Sequence, residues 1–289
     1  MFGGHETTAS TIYYTLVFLA MHPSSQRLLQ SSLDSQFPTD SLDHWNYDTD
    51  LPHLLATMPG AVLNETLRLI PPIMQMPKTT LGLPQPLEVD GKTLYVPPHT
   101  KVNVVISAAH RNPNSWPKQR KSLEEDSDIE TRSRISNENS AGDSTKDLDS
   151  FRPERWLSSP TSPTTINNES LPTTLPFRPQ KGAYIPFSDG RRSCIGRRFA
   201  LIEAVAVVAT IFRSYSVELA VDIGSGSDPE AGQDEGGNER TKRDAWYAAA
   251  ETARFATREG LSAVSFQRKK SVPLRLVKRG EEQFWAVGA

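Results

Sequence analysis

The chain contains one cysteine, Cys194, inside the run Pro186-Phe187-Ser188-Asp189-Gly190-Arg191-Arg192-Ser193-Cys194-Ile195-Gly196 and directly ahead of the clearest helix pattern in the sequence. Ile195 to Tyr215 carries Phe199, Ile202, Val205, Val208 and Phe212 at helical spacing, one apolar stripe with polar residues around it. A helix start leaves backbone N–H groups without helical acceptors, and its dipole favours negative charge. A thiolate is stabilised at such a place. Gly190 permits a tight turn, Gly196 permits close approach of a flat partner, and Phe187 offers an aromatic face that can cover the sulfur. Arg191 and Arg192 supply cations for acidic groups. Read from the residues alone, the cysteine is a buried or incidental one, or a nucleophile that would want a histidine base. No particular histidine is singled out as that base.

The rest of the chain bounds the fold. Its 289 residues suffice for one large domain or two small ones. A formal net charge of -2 gives no overall attraction to nucleic acid, and a single cysteine excludes an internal disulfide framework. No apolar run approaches the ~20 residues that span a bilayer, since the best candidate, Ala204 to Phe212, is too short and lies within an amphipathic helix. There is no charged segment followed by an apolar stretch at the start, as a signal peptide would have.

Helical spacing over Thr7 to Met21 predicts a helix that Pro23 ends, with Ser24 or Ser25 capping a second one to about Leu33. Leu54 to Leu69 predicts a third, stopped by Pro71-Pro72. Leu87 to Val96 alternates around Asp90-Gly91, a hairpin signal, and Val102 to Ile106 is another strand. Ala245 to Arg258 reads as a helix and Val272 to Val277 as a short strand. Three polar stretches, 117–150, 158–179 and 223–238, have too little apolar surface to offset their ordering entropy and read as flexible insertions. The fold class expected is mainly α with small β elements.

The pattern Phe-x-x-Gly-x-Arg-x-Cys-x-Gly, as Phe187, Gly190, Arg192, Cys194 and Gly196, resembles the haem-ligand loop of the cytochrome P450 family at each fixed position. Two further motifs stand in that family's order. Glu65-Thr66-Leu67-Arg68 is similar to its Glu-x-x-Arg helix, and Phe151-Arg152-Pro153-Glu154-Arg155-Trp156 to the later meander whose arginine locks that pair. Gly3-Gly4-His5-Glu6-Thr7 looks like its oxygen-binding helix. His110-Arg111-Asn112-Pro113, with Trp116, resembles the family's strand-to-meander junction and is read as structural, and Phe266 to Glu282 resembles the last β element of fungal-type members.

The resemblance implies a cytochrome P450 fold and haem b (iron protoporphyrin IX) as cofactor. It makes Cys194 the axial ligand to iron, with Phe187 as the aromatic beside the sulfur, Gly196 among the cofactor-binding residues and Arg192 pairing a propionate. Lys78 stands where the family commonly has a second propionate-binding arginine, and keeps the charge without the bidentate fork. Glu6 and Thr7 match the acid–alcohol pair that delivers protons to the distal oxygen. Glu65, Arg68 and Arg155 are expected to form a buried structural cluster.

The implied activity is a monooxygenase acting on a small organic or lipophilic substrate, with electrons from a flavoprotein reductase using NADPH. The alternatives are a haem-thiolate isomerase or dehydratase, against which the intact Glu6-Thr7 pair speaks, and a non-catalytic remnant. Family members carry a long part ahead of the oxygen-binding helix, with a membrane anchor and most of the substrate pocket. The chain therefore reads as the carboxy-terminal part of such a domain, truncated at the amino-terminal side. Relatives usually sit on the endoplasmic reticulum through that anchor.

Overall fold

The computed structural model describes residues 2–37, 45–116, 144–157, 175, 177–221, 235–259 and 271–284. Helix α1, Phe2–Met21, runs into the core, where Tyr14, Val17, Phe18, Leu19, Ala20 and Met21 are buried. Pro23 does end the α1 pattern, but it also opens α2, Pro23–Gln36, sitting in the first turn where a missing N–H is tolerated. The residue capping α2 is His22 rather than Ser24 or Ser25, and it makes no side-chain cap bond. Two buried glutamines tie α2 to its neighbours: Gln26 Nε2 donates to the carbonyls of Leu19 (3.0 Å) and Val217 (2.9 Å) while its Oε1 accepts from Val217 N–H, and Gln30 Nε2 donates to the Tyr215 carbonyl (3.2 Å) and Ser216 Oγ (2.9 Å).

The helix expected over Leu54 to Leu69 is two. Helix α3, Asp50–Ala56, stops at Thr57, and α4, Met58–Leu69, begins there with Pro59 in its first turn. The break has a steric cause. A proline inside a continuous helix lacks the donor and collides with the preceding turn. The Thr57 hydroxyl donates to the His53 carbonyl at 2.7 Å and closes α3. At the junction the two helices lie so close that a Cβ on Gly60 would collide with the Leu55 carbonyl.

Three antiparallel strand pairs follow. Strand β1, Gln75–Thr79, pairs with β4, Lys101–Val105. Strand β2, Gln85–Val89, pairs with β3, Lys92–Val96, across the expected Asp90-Gly91 turn, whose φ values of 49° and 73° are both left-handed. Ile106, expected to end a strand, starts the short helix α5, Ile106–Ala109. Helix α6, Ser144–Asp149, falls inside the stretch 117–150 that reads as flexible; 117–143 lies outside the described residues. Leu148 of α6 is buried.

Of the other two polar stretches, Phe177 is buried and 235–238 begin a helix, while 158–174, 176 and 223–234 lie outside the described residues. Helix α7, Arg197–Ser214, leads into β5, Tyr215–Leu219, which pairs with β6, Leu274–Lys278. Between them α8, Glu235–Glu259, packs Trp246, Ala250 and Ala253 into the main core. Among the described residues, no helix is long and apolar enough to cross a membrane.

Candidate functional site

Two constellations matter, one buried and one open. The buried one starts on α4, where Glu65 and Arg68 face the same way at i and i+3. The Glu65 carboxylate accepts five hydrogen bonds: Arg68 Nε (2.8 Å) and Nη2 (2.8 Å), Arg155 Nε (2.9 Å), Trp156 Nε1 (3.0 Å) and the Arg152 N–H (2.9 Å). Arg68 spends its remaining donors on backbone carbonyls, Leu148 (2.6 Å) and His110 (3.3 Å) from Nη1 and Ser150 (3.1 Å) from Nη2. Arg155 also donates to the Asp147 carboxylate and carbonyl.

Glu65 and Arg68 are fully buried and Arg155 is 7% exposed, a placement tolerable only because every charge is paired and hydrogen-bonded. Burial pushes the Glu65 carboxyl up, but the Arg68 and Arg155 cations and the hydrogen bonds outweigh it and hold the group at about 2. The expected triad is thus brought together. Asp147, Trp156 and four backbone carbonyls complete it, none of them legible as partners in the sequence.

The open constellation is the cysteine loop. Ser188 (φ 61°) and Gly190 (φ 75°) turn the chain through the left-handed region, as the tight turn at Gly190 requires. Asp189 accepts from Gly190 N–H at 2.7 Å, and a single 3₁₀ turn covers Gly190–Arg192. The loop closes where Cys194 N–H donates to the Phe187 carbonyl at 2.9 Å. Helix α7 starts later than its apolar pattern suggests, with Gly196 as N-cap. Ile195, fully exposed, belongs to the turn before it, so Cys194 stands two residues ahead of the N-cap and less close to the helix dipole than expected. A Cβ on Gly196 would lie 3.9 Å from Cys194 Sγ, so glycine keeps the space beside the sulfur clear. The Arg197 guanidinium lies 5.7 Å from the centre of the half-buried Phe187 ring.

Cys194 is exposed, and so are Arg192, Lys78 and Glu6; Phe199, next along α7, is 72% exposed. Lys78 sits on β1 opposite Val102. The Thr7 hydroxyl donates to the Gly3 carbonyl at 2.7 Å within α1, and around Gly3 and Gly4 a Cβ would meet no atom within 4 Å. Among the described residues no hydrogen bond or ion pair joins Cys194 to Glu6, Thr7, Lys78 or Arg192, and none has a group of three side chains able to hold a metal ion. One soft sulfur donor, a glycine beside it, apolar Ile195 and Phe199, and nearby cations form a donor set suited to a flat, anionic cofactor bound through a single thiolate.

The sequence matches the family described as Cytochrome P450 over residues 1–121 and 146–228, passing over 122–145. Rat cytochrome P450 3A2 is 27% identical over 218 residues, covering 75% of this chain and 32% of that protein. Cytochrome P450 4c3 of Drosophila melanogaster is 30% identical over 224 residues, 77% of this chain and 32% of its own length. Cytochrome P450 monooxygenase polC of the fungus Polytolypa hystricis is 30% identical over 238 residues, 80% of this chain and 34% of its own. The chain thus spans about a third of the length of these curated relatives. With both motif-bearing constellations inside the matched residues, the chain belongs to the cytochrome P450 family.

Proposed function

We propose that the chain carries the thiolate side of a haem-dependent monooxygenase. The whole reaction places one atom of O₂ in a lipophilic organic substrate and the other in water, with two electrons from a flavoprotein reductase that draws on NADPH. The observation that carries this reading is the sole cysteine held at the open rim of a short, hydrogen-bonded loop, with a glycine beside its sulfur. Bound haem b would supply the redox-active iron, and a thiolate ligand pushes electron density towards O–O cleavage.

This chain's own residues divide the remaining tasks. Cys194 Sγ binds the iron. Phe187, with Arg197 over its ring, gives the loop its aromatic face. Gly196 lets the flat ring approach. Arg192 holds a propionate through its fork and Lys78 holds one as a single charge. Glu6, exposed on α1, takes protons from solvent, and Thr7 Oγ1, one turn from Gly3, passes them on. Glu65, Arg68 and Arg155 keep the base of the loop in place. Arg191, Arg197 and Arg198, all exposed, offer an acidic reductase surface a docking face.

The test is the spectrum of the dithionite-reduced, haem-loaded chain under carbon monoxide. The strongly red-shifted Soret band of thiolate-ligated haem is expected in the wild type and lost in Cys194→Ala. A folded chain that takes up no haem, or gives only the less shifted band, contradicts the reading and leaves the family membership standing.

A further inference from the structure

Between the buried cluster and the open loop lies a side chain that neither has so far used. His110 follows α5 and is fully buried. The Ile185 N–H donates to its Nε2 at 2.8 Å. A backbone N–H can only donate, so Nε2 carries a lone pair. The neutral ring then has its hydrogen on Nδ1, which faces the Arg68 carbonyl at 3.1 Å. Arg68 returns the contact, donating from Nη1 to the His110 carbonyl at 3.3 Å. One imidazole thus joins α4 at the centre of the ion-pair cluster to the segment that enters the cysteine loop.

From Ile185 the hydrogen bonds continue into the loop. The Ile185 carbonyl accepts from Ser188 N–H at 3.0 Å, and the Phe187 carbonyl from Cys194 N–H at 2.9 Å. Tyr184, one residue earlier, lies 5.1 Å from the His110 ring and donates its hydroxyl to Asn64 Oδ1 at 2.8 Å. Asn64 is itself the neighbour of Glu65 on α4. Ser188 adds a contact to Met76 Sδ on β1 at 3.2 Å. The backbone on both sides of Phe187 is therefore tied to α4 and β1, and the bond that needs one defined tautomer is the one through His110.

We propose that His110, as the Nδ1–H tautomer, is a positioning residue that transmits the fixed geometry of the Glu65–Arg68–Arg155 cluster to the loop bearing Phe187 and Cys194. Its bearing on the sulfur rests on the haem-thiolate reading above; its hold on the loop does not. Removing the acceptor at Nε2 leaves the Ile185 N–H unpaired in a half-buried place and frees the loop, while the cluster keeps all its charge pairs.

Two measurements on the full chain test this. In the ¹⁵N-histidine-labelled protein, Nε2 of His110, assigned by its disappearance in His110→Gln, is expected to be unprotonated. Hydrogen–deuterium exchange then compares His110→Phe, which keeps the ring and loses both polar atoms, with His110→Gln, whose Oε1 can still accept from Ile185. His110→Phe should speed exchange over residues 183–194 by about tenfold, as loss of one hydrogen bond implies, and leave α2 and β5 unchanged. His110→Gln should stay close to the wild type.

A protonated Nε2, unchanged exchange in His110→Phe, no recovery in His110→Gln, or a rise spread evenly over the core would each overturn the proposal. If His110→Phe does not fold, the tautomer in the wild type still decides. Neither measurement uses haem. A chain that passes both yet shows no thiolate spectrum keeps the role of His110 and loses the haem reading, and the reverse result loses only His110.

Discussion

The Glu65 cluster and the Cys194 loop lie in one small molecule and are built on opposite principles. In the first, a carboxylate and two guanidinium groups are buried and saturated by the chain's own donors and acceptors. In the second, the thiol, the cations and the flanking Ile195 and Phe199 are all exposed, and the loop is held by its backbone and by the side chains of Ser188 and Asp189. A buried charge without partners is expensive, so the cluster has one workable arrangement and enforces it. On the proposed reading the sulfur must meet a cofactor from outside, so its fixed part is the loop geometry and its side chain is left free. On that reading stability and chemistry fall to different residues, with His110 between them.

The sharpest way to break that division is Glu65→Ala. It leaves Arg68 and Arg155 buried and uncompensated, and a loss of about 3–5 kcal/mol is expected. Urea unfolding followed by tryptophan fluorescence measures it, and a loss under 1 kcal/mol would mean that the cluster does not hold the fold.

Acid should strike the same region. Burial, reinforced by the Arg68 and Arg111 cations, keeps His110 at about 4 against an ordinary 6.5. Between those values the unfolded chain binds a proton that the native state does not, so stability falls as pH drops through that window, by on the order of 3 kcal/mol. Glu65, held at about 2 against an ordinary 4.5, loses its contribution as pH falls from the upper value through the lower. Stability measured from pH 7 to 4 in the wild type and in His110→Gln separates the histidine's share: the variant should keep only the part of the first decline due to His22, which burial also holds at about 4.

A smaller effect is expected at the base of α4. Gly60→Ala places a Cβ on the Leu55 carbonyl and forces α3 and α4 apart, for about 1–3 kcal/mol. Thermal unfolding reads it. The smallest effect on stability sharpens the comparison from the other side. Cys194→Ala removes an exposed side chain and should change stability by less than about 0.5 kcal/mol, while abolishing thiolate ligation.

What the sequence made legible follows the same division. The Glu65–Arg68 pair is local, one helical turn apart, and Arg155 stands in a motif of its own, so the resemblance to the family could name the triad, which the i,i+3 spacing alone could not. Its other half could not. Leu148, Ser150 and His110 take part through backbone carbonyls, which every residue has, and Asp147 lies in a stretch whose composition signals disorder.

The hairpin at Asp90-Gly91 was readable because a left-handed turn needs particular residues. The break at Thr57 was harder, because the apolar spacing runs through it and only Pro59 objects. At Ile195 apolar character suggested helix, whereas its exposure belongs to the open face beside the sulfur. The role of His110 depends on facing Ile185, 75 residues on, and no spacing rule reports that.

The most direct test of the central claim is X-ray absorption at the iron edge of the haem-loaded chain. The account predicts one sulfur bonded to iron in the wild type and none in Cys194→Ala, with both proteins equally folded by circular dichroism. An iron bound only by nitrogen or oxygen in the wild type, or a sulfur signal that survives the substitution, would contradict it.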